Sequence, residues 1–382
     1  MAEITLPGTG SLRLREPDPL DLPGTAAAYR TAFAAAHVVA DPLGPNAPGA
    51  PAAVDWEATL AFRRHLWSLG LGVADAMDTA QRGMGLDWTA TKELITRSGA
   101  EAGAVGGRLA CGVGTDQLTH PTATLPVILA AYEQQLEVVE AAGAQPILMA
   151  SRALAATADG PDDYLRVYGR LIGQARQPVI LHWLGEMFDP ALAGYWGSAD
   201  LDRATETVLT LVKEHAGRID GIKVSLLDAD REIALRRALP AGVKLYTGDD
   251  FNYPQLIRGD ELGHSHALLG VFDPIAAQAA AALHALDAGD LARYDALLAP
   301  TLPLARHLFA APTYHYKTGI VFLAWLAGHQ DHFTMVAGAQ SGRSVPHLVE
   351  LFRLADLAGV LPDPDLAVHR MRQFLALAGV AA

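Results

Sequence analysis

The sequence contains very little cysteine and no surplus of positive charge. Cys111 is its only cysteine, which excludes an intrachain disulfide and a zinc site built from a cysteine cluster. The net charge of −13 argues against nucleic acid or an anionic membrane surface as a partner. No uncharged apolar stretch reaches the roughly 18 residues that a membrane helix needs, and Met1–Thr5 lacks the pattern of a signal peptide. We therefore expect a cytoplasmic protein whose partner is a small molecule.

Two common binding motifs are also missing. No Gly-x-Gly-x-x-Gly follows an early strand, which weakens the case for a doubly wound, dinucleotide-binding sheet. No His-Glu-x-x-His spacing supports a preformed metal site. The function must be sought in other residues.

What the chain does contain is a series of short apolar runs that alternate with longer amphipathic segments. The apolar runs predict eight strands, at Phe33–Val39, Leu71–Met77, Leu109–Val113, Gln145–Ala150, Pro178–Trp183, Ile219–Val224, Val243–Thr247 and His266–Val271. The amphipathic segments predict helices that include Trp56–Leu69, Leu125–Ala142, Asp162–Ala175, Leu201–His215 and Asp230–Leu239. Eight strands with helical crossovers favour an α/β fold in which a parallel sheet closes into a (β/α)8 TIM barrel. A doubly wound open sheet is the alternative.

After the eighth predicted strand the pattern becomes purely helical. The helical segments are Pro274–Leu286, Leu291–Phe309, Tyr316–Leu326, Val345–Leu357 and Pro364–Leu377. We therefore predict a barrel over residues 1–273 and a C-terminal helical extension, packed on the barrel, over residues 274–382. Gly44–Ala53 is rich in glycine and proline and is predicted to be a loop.

Lys223 is one of only five lysines and stands at the end of the apolar run Ile219–Val224. Burial of an ammonium is costly and favours the neutral amine, which can attack a carbonyl and form a Schiff base. Strand alternation places Gly221 on the same face as Lys223, where it would leave room for the long side chain. The structural alternative is a lysine paired with Asp249 or Asp250 on the next strand.

Other polar residues also fall near predicted strand ends, where a parallel barrel carries its active site. His182 ends the fifth strand and could transfer protons, or could be a neutral histidine hydrogen-bonded at the rim. Asp78 and Thr79 could orient a substrate or shape a turn, and His264 could line the site or cap a loop. Lys244 is expected lower in the barrel, as a structural ion-pair partner.

The order of these motifs resembles the dihydrodipicolinate synthase / N-acetylneuraminate lyase family of class I aldolases. Gly221-Ile222-Lys223 is similar to the family's Schiff-base strand, and Thr247–Asp250 resembles its Ser-Gly-Asp-Asp element. Pro178–Leu181 resembles the fifth strand, which in the family ends in a proton-relay tyrosine. The resemblance implies a TIM barrel, an imine at Lys223, no metal or organic cofactor, and a homo-oligomer, either dimer or tetramer.

Two departures from the family pattern bear on the substrate and indicate a divergent bacterial branch. His182 stands at the position of the tyrosine. The family's Gly-Thr-Thr-Gly-Glu loop, which grips the carboxylate of pyruvate, reads Met77–Gln81 here, and only Thr79 matches a family threonine. Asp78 would repel a substrate carboxylate. A keto-sugar, held by Asp78 and Asp249, is therefore at least as consistent with the sequence as a 2-oxo acid.

We thus predict a lysine-dependent aldolase or lyase in which Lys223 forms the imine and His182 is the acid/base. Asp78, Thr79, Gly248, Asp249 and His264 are the predicted substrate-binding residues. One alternative is a metal-dependent sugar isomerase or epimerase that uses His182, Glu186, Asp249 and His264. The other alternative is a non-catalytic sugar-binding barrel.

Overall fold

A closed barrel of eight parallel strands forms the centre of the computed structural model, which describes residues 2–118 and 123–380. Residues 1 and 382, where the predicted domain ranges begin and end, lie outside the described residues. A short antiparallel hairpin, β1 (Glu3–Leu6) and β2 (Gly10–Arg13), precedes the barrel. The barrel strands are β3 (Ala32–Ala35), β4 (Gly72–Asp75), β5 (Leu109–Val113), β6 (Gln145–Leu148), β7 (Val179–Leu184), β8 (Ile219–Ser225), β9 (Lys244–Thr247) and β10 (His266–Leu269). Each strand pairs with its sequence neighbour, and β10 closes the ring on β3. The predicted (β/α)8 barrel is confirmed.

Helices follow the barrel strands and then continue to the end of the described chain. Those between β3 and β10 are α1 (Trp56–Ser68), α2 (Trp88–Val105), α3 (Leu125–Ala141), α4 (Arg152–Thr157), α5 (Pro161–Gln174), α6 (Leu201–Glu214), α7 (Ala229–Ala238) and α8 (Tyr253–Arg258). Those after β10 are α9 (Ala276–Asp287), α10 (Leu291–Leu298), α11 (Thr301–Leu308), α12 (Tyr316–Leu326), α13 (Val345–Leu357) and α14 (Pro364–Leu377). In the described ranges, no helix is both long enough and apolar enough to cross a membrane.

Many of these helices begin at an aspartate whose side chain accepts a hydrogen bond from the first turn. This N-cap satisfies a backbone N–H that has no partner inside the helix. The capping residues include Asp55 for α1, Asp87 for α2, Asp228 for α7, Asp290 for α10 and Asp363 for α14.

The structure differs from the sequence prediction in a few elements. The predicted helix Leu291–Phe309 is two helices, α10 and α11, because Pro300 at their junction has no backbone N–H to continue the first one. The hairpin and α2 are not among the predicted elements. Residues 44–53 form no regular element, as predicted.

The interior of the barrel is filled by side chains below its carboxyl end. Phe33, Ile147, Ile180 and Leu268 pack there, and the Tyr246 ring lies 6.1 Å from that of Phe33. These residues make the lower barrel a solid core rather than a channel. A ligand site inside the barrel is therefore restricted to the layer above.

The C-terminal helices pack over the barrel and share its apolar core. Every residue of α12 is buried, and one continuous cluster of buried apolar residues includes residues of the barrel helices as well as Ile320, Phe352 and Met371. The described chain therefore contains the predicted C-terminal helices. The division at residues 273 and 274 stays a prediction.

Candidate active site

A small cavity lies at the carboxyl end of the barrel strands, where α12 approaches the mouth. It encloses about 290 Å³ of space between protein atoms, part of which is open to solvent. Its lining residues come from the barrel loops, strand ends and α12, and they are Met77, Asp78, Thr79, Leu184, Phe188, Lys223, Ser225, Asp250, Gly270 and Tyr316. The predicted residues Lys223, Asp78 and Thr79 are thus brought together.

Lys223 lies on β8, is only 7% exposed, and contributes to the wall of the cavity. Within residues 2–118 and 123–380 it forms no ion pair at 4.0 Å or less. Burial lowers the pKa of Lys223 from its ordinary value, while the charges of Asp78 and Asp250 oppose this shift. The arrangement favours a lysine that can lose its proton inside the cavity.

Lys244 provides the contrast on the neighbouring strand. Its Nζ lies 2.7 Å from Asp220 Oδ1, and Tyr246 donates a hydrogen bond to the other oxygen of the same carboxylate at 2.6 Å. The expectation of a structural ion pair at Lys244 is confirmed.

The Lys223 side chain occupies space that a glycine directly after the next strand leaves open. A Cβ on Gly248 would come within 2.8 Å of Lys223 Cε and 2.2 Å of Ser225 Oγ. The predicted role of Gly221 differs, because a Cβ at Gly221 would meet Lys244 O at 2.6 Å and the Tyr246 ring at 2.7 Å. Gly248 makes room for the lysine, and Gly221 makes room for the tyrosine below it.

His182 is the direct neighbour of Lys223 across the β7–β8 pair. It is fully buried. Burial, and to a lesser extent the charge of Lys223, holds the pKa of His182 well below its usual range. Its Nε2 lies 3.5 Å from Ser225 Oγ, and no partner for its buried Nδ1 is found in the described chain. The side chain is therefore a neutral imidazole at neutral pH.

Asp78 and Thr79 form a single 3₁₀ turn after β4. The turn is bounded by Ala76 and Gln81, which have positive φ values of 51° and 64°. Such values are strained for residues other than glycine and must be stabilised by neighbouring contacts. Arg82 supplies one of these contacts by donating to Ala76 O at 3.1 Å. The strained loop presents Thr79 to the cavity.

Asp249 and Asp250 follow β9, but their side chains have different roles. Asp249 accepts hydrogen bonds from the backbone N–H groups of Phe251 and Asn252, at 2.8 and 3.0 Å, and it is not among the cavity-lining residues. Asp250 lines the cavity. Burial raises the pKa of Asp250 to about 7, whereas the Val271 amide and Lys223 lower it. Asp250 therefore titrates near neutrality beside the lysine.

His264 does not join the other predicted residues. It precedes β10 and so lies at the amino-terminal end of the barrel, opposite the cavity. Its ring centroid is 5.2 Å from that of His266, and burial lowers the pKa of His264 to about 4. The prediction that His264 is one of the substrate-binding residues at this mouth is therefore wrong.

The four residues of the metal-site alternative are likewise separated. His264 is at the opposite end of the barrel, and the Asp249 carboxylate is occupied by backbone N–H groups. In the part of the chain that the structure describes, no group of three or more His, Cys, Asp or Glu side chains could hold a metal ion.

Two residues of α12 near the mouth are not among the residues predicted from the sequence. Tyr316 lines the cavity, and Lys317 is buried beside it, with its Nζ 4.8 Å from the ring centroids of Tyr314 and Tyr316. Burial lowers the pKa of Lys317 to about 8, with Asp78 and Asp189 opposing the shift. The only sequence signal was a polar, aromatic run at 313–317 that opens an otherwise apolar helix.

Comparison with known proteins gives a match to a family model but to no curated protein. A family model described as "Protein of unknown function (DUF993)" matches residues 6–380. No curated protein matches the sequence.

Solved structures with the same fold include three relatives of low sequence identity. A prophage protein of the dihydrodipicolinic acid synthase family from E. coli K12, solved in complex with pyruvate, has a TM-score of 0.67 at 14% identity, covering 87% of this chain and 100% of its own. Dihydrodipicolinate synthase from Aquifex aeolicus has a TM-score of 0.66 at 12% identity, with coverage of 87% and 99%. The 4-hydroxy-tetrahydrodipicolinate synthase of Methylacidiphilum fumariolicum has a TM-score of 0.64 at 14% identity, with coverage of 90% and 99%. At sequence identities of 12% to 14%, the structural similarity shows a shared fold.

Proposed function

This chain belongs to the DUF993 family, and from the residues around its cavity we propose that it is a Schiff-base aldolase or lyase. It would form or cleave a C–C bond in a small keto-sugar or 2-oxo acid, or would dehydrate such a compound. The observation that carries the proposal is the Lys223 amine, which lies in a ligand cavity and has no ion pair at 4.0 Å or less within the described residues.

The chemistry begins with the neutral amine of Lys223. Its lone pair bonds to the carbonyl carbon, the π pair moves to the oxygen, and that oxygen is protonated and leaves as water. The resulting protonated C=N group withdraws the electron pair of an adjacent C–C or C–H bond as that bond breaks. Protonation of the enamine and hydrolysis of the C=N bond then return the free amine. These steps use only a lysine and proton donors and acceptors.

Asp250 and His182 are the proposed proton-transfer residues. Asp250 is the stronger candidate, because its pKa of about 7 lets it both accept and donate a proton at neutral pH. His182 remains neutral and buried next to Lys223. In that form it can orient Ser225, and because burial disfavours the imidazolium it can hold the proton released by the attacking amine only in passing.

The substrate must be small and carry a carbonyl group. Asp78 and Thr79 are the proposed binding groups for its oxygen atoms, and Gly248 shapes the pocket by leaving space for the lysine. Asp249 supports the loop that presents Asp250. Lys317 offsets the negative charge of Asp78, so a 2-oxo acid and a keto-sugar both remain compatible with the cavity.

The test is reductive trapping of the purified protein with cyanoborohydride in the presence of pyruvate or dihydroxyacetone. We expect a covalent adduct on the peptide that carries Lys223, detected by mass spectrometry, and its loss in Lys223→Met. Lys244→Met is the matched control, because Lys244 lies on the neighbouring strand in an ion pair. Absence of an adduct with both probes, or an adduct that survives Lys223→Met, would refute the proposal.

A further inference from the structure

The C-terminal helix α12 contributes a phenol to the barrel cavity. Tyr316 is the first residue of α12 and is only 3% exposed. Its hydroxyl lies 2.9 Å from Thr79 Oγ1, and both residues line the cavity that contains Lys223. The two hydroxyls therefore form a hydrogen-bonded pair at the reaction site.

The Tyr316 ring is fixed by aromatic neighbours. Phe309 stacks on it with centroids 4.5 Å apart and an interplanar angle of 18°, and Phe188 meets it edge to face at 6.1 Å. Gly270, at the end of the last barrel strand, provides the space, since a Cβ there would lie 3.1 Å from Phe309 Cζ and 3.4 Å from Tyr316 Cε2. The phenol is thus held in one position before any ligand binds.

One of the two hydroxyl protons of Tyr316 and Thr79 is not used in the hydrogen bond between them. Each hydroxyl carries one proton, and a single hydrogen bond joins the two groups. Among the described residues, neither hydroxyl makes another hydrogen bond. Burial raises the pKa of Tyr316 well above 10, and the Asp78 charge adds to this effect, so the phenol keeps its proton at neutral pH. The second proton is available to a ligand in the cavity.

We propose that the Tyr316–Thr79 hydroxyl pair donates a hydrogen bond to the carbonyl oxygen of the substrate while Lys223 attacks the carbonyl carbon. The inference rests on the proposed Schiff-base function and assigns the electrophile-binding group within it. Negative charge develops on the carbonyl oxygen during the attack, and a fixed donor stabilises that charge more than it stabilises the ground state. The C-terminal helices are therefore part of the active site.

The first test compares trapping rates with pyruvate and dihydroxyacetone in two tyrosine variants. Tyr316→Phe keeps the ring packing but removes the hydroxyl, and we expect it to slow adduct formation at Lys223 on the order of 100-fold, the typical effect of losing one such donor. Tyr314→Phe is the matched control, because the Tyr314 hydroxyl donates to Gly83 O outside the cavity lining. Its trapping rate should equal that of the wild type. Equal rates for Tyr316→Phe and wild type, or equal slowing in both variants, would overturn the inference.

A second measurement separates this inference from the Schiff-base proposal. In the Lys223→Met background no imine can form, and binding of the same two probes is followed by calorimetry with and without Tyr316→Phe. We expect the added substitution to weaken binding about tenfold, the loss of one hydrogen bond in a buried site. That result would support the hydroxyl pair even if the wild type gave no trapped adduct. Equal affinities with and without Tyr316→Phe, or no binding by either variant, would overturn the inference about the hydroxyl pair.

Discussion

The reactivity of Lys223 depends on the space beside it. Gly248 directly follows β9, and a single added methyl group would meet both Lys223 Cε and Ser225 Oγ at distances below van der Waals contact. The main chain at the end of β9 therefore sets the position of the amine. A change at this glycine tests that position without altering any charge.

Gly248→Ala should displace the lysine while leaving the barrel folded. We expect the rate of adduct formation at Lys223 to fall at least tenfold, and the free energy of unfolding to decrease by about 1–3 kcal/mol, the usual cost of overpacking. The rate is measured by trapping, and the stability by chemical denaturation. Gly103→Ala is the control, since a Cβ at Gly103 meets nothing within 4 Å. An unchanged trapping rate in Gly248→Ala would contradict the assigned geometry.

The charge of Asp250 should control the pH dependence of the lysine. Above a pH of about 7 the Asp250 carboxylate is ionised, and its charge raises the pKa of Lys223. Asp250→Asn removes that charge, so the lysine should lose its proton at lower pH. We expect the midpoint of the trapping rate against pH to move down by on the order of one unit.

The neighbouring carboxylate provides the comparison for this experiment. Asp249→Asn alters a side chain whose Oδ1 accepts two backbone hydrogen bonds, and it should move the midpoint less than Asp250→Asn does. A midpoint that rises in Asp250→Asn, or that moves equally in both variants, would refute the assigned pairing.

The individual residues of the site were only partly predictable from sequence. Lys223 lies near the end of an apolar strand, and Asp78 and Thr79 follow another one. Strand ends meet at one edge of a parallel barrel, so the proximity of these residues could be expected. Tyr316 could not be expected in the same way, because it reaches the cavity from a helix whose packing on the barrel is a long-range contact. His264 was misplaced because it lies just before its strand rather than just after it.

At the scale of elements, a buried carboxyl joins a helix to the barrel. Glu232 lies on α7, and it accepts hydrogen bonds from Thr247 Oγ1 on β9 at 2.9 Å and from Ser265 Oγ at 2.8 Å. Burial raises the pKa of Glu232 to about 8, while these two hydroxyls lower it. The folded protein therefore holds a neutral carboxyl at this junction.

The stability of the protein should decrease with rising pH because of Glu232. The pKa is raised above its ordinary value of 4.5 in the folded state, so the folded protein binds this proton more tightly than the unfolded chain. Stability is therefore lost as the pH rises from about 4.5 to about 8. Glu232→Gln should remove this loss and raise the free energy of unfolding at pH 8 by on the order of a few kcal/mol. Denaturation in urea at both ends of the range measures the effect.

An exposed glutamate provides the reference for that measurement. Glu206→Gln lies on the solvent face of α6 and should leave the pH dependence of the wild type unchanged. If Glu232→Gln has the same pH dependence as wild type, the buried carboxyl is not the cause.

Regular elements could be predicted more fully than side-chain contacts. All eight barrel strands fall within or next to the predicted runs, because strands buried on both faces produce unbroken apolar stretches. The β1–β2 hairpin was missed, since its strands include exposed polar residues and so form no unbroken apolar run. The break between α10 and α11 depends on Pro300. The effect of a proline is local, so the break can be explained once the helix bounds are known.

At the scale of the whole molecule, the barrel and the C-terminal helices are held by a common core. The buried apolar cluster runs from Ile4 in the hairpin through the barrel helices to Leu375 in α14. A polar contact adds to it at the mouth, where His37 Nδ1 lies 2.7 Å from Asp273 and His37 Nε2 lies 3.1 Å from Gln330 Oε1. The described chain should therefore unfold as one unit. The homo-oligomeric state stays a prediction.

Phe352→Ala should destabilise the barrel as well as the extension. Phe352 is fully buried in α13, and its truncation should lower the free energy of unfolding by about 3–5 kcal/mol. Hydrogen exchange should show the loss of protection in the barrel strands together with that in α12 and α13. Leu377→Ala, at a position that is 89% exposed, should change stability by less than about 0.5 kcal/mol. Loss of protection confined to the C-terminal helices would indicate a separately folding extension.

The position of Tyr316 has a consequence for how the proposed enzyme could diversify. The lysine proposed to form the imine is encoded in the barrel, whereas the roof of its cavity is encoded much later in the gene, in α12. Substitutions in that roof could change which carbonyl compounds are admitted while the reaction itself stayed the same. Selectivity and reactivity would then be inherited as two separately mutable traits of one protein.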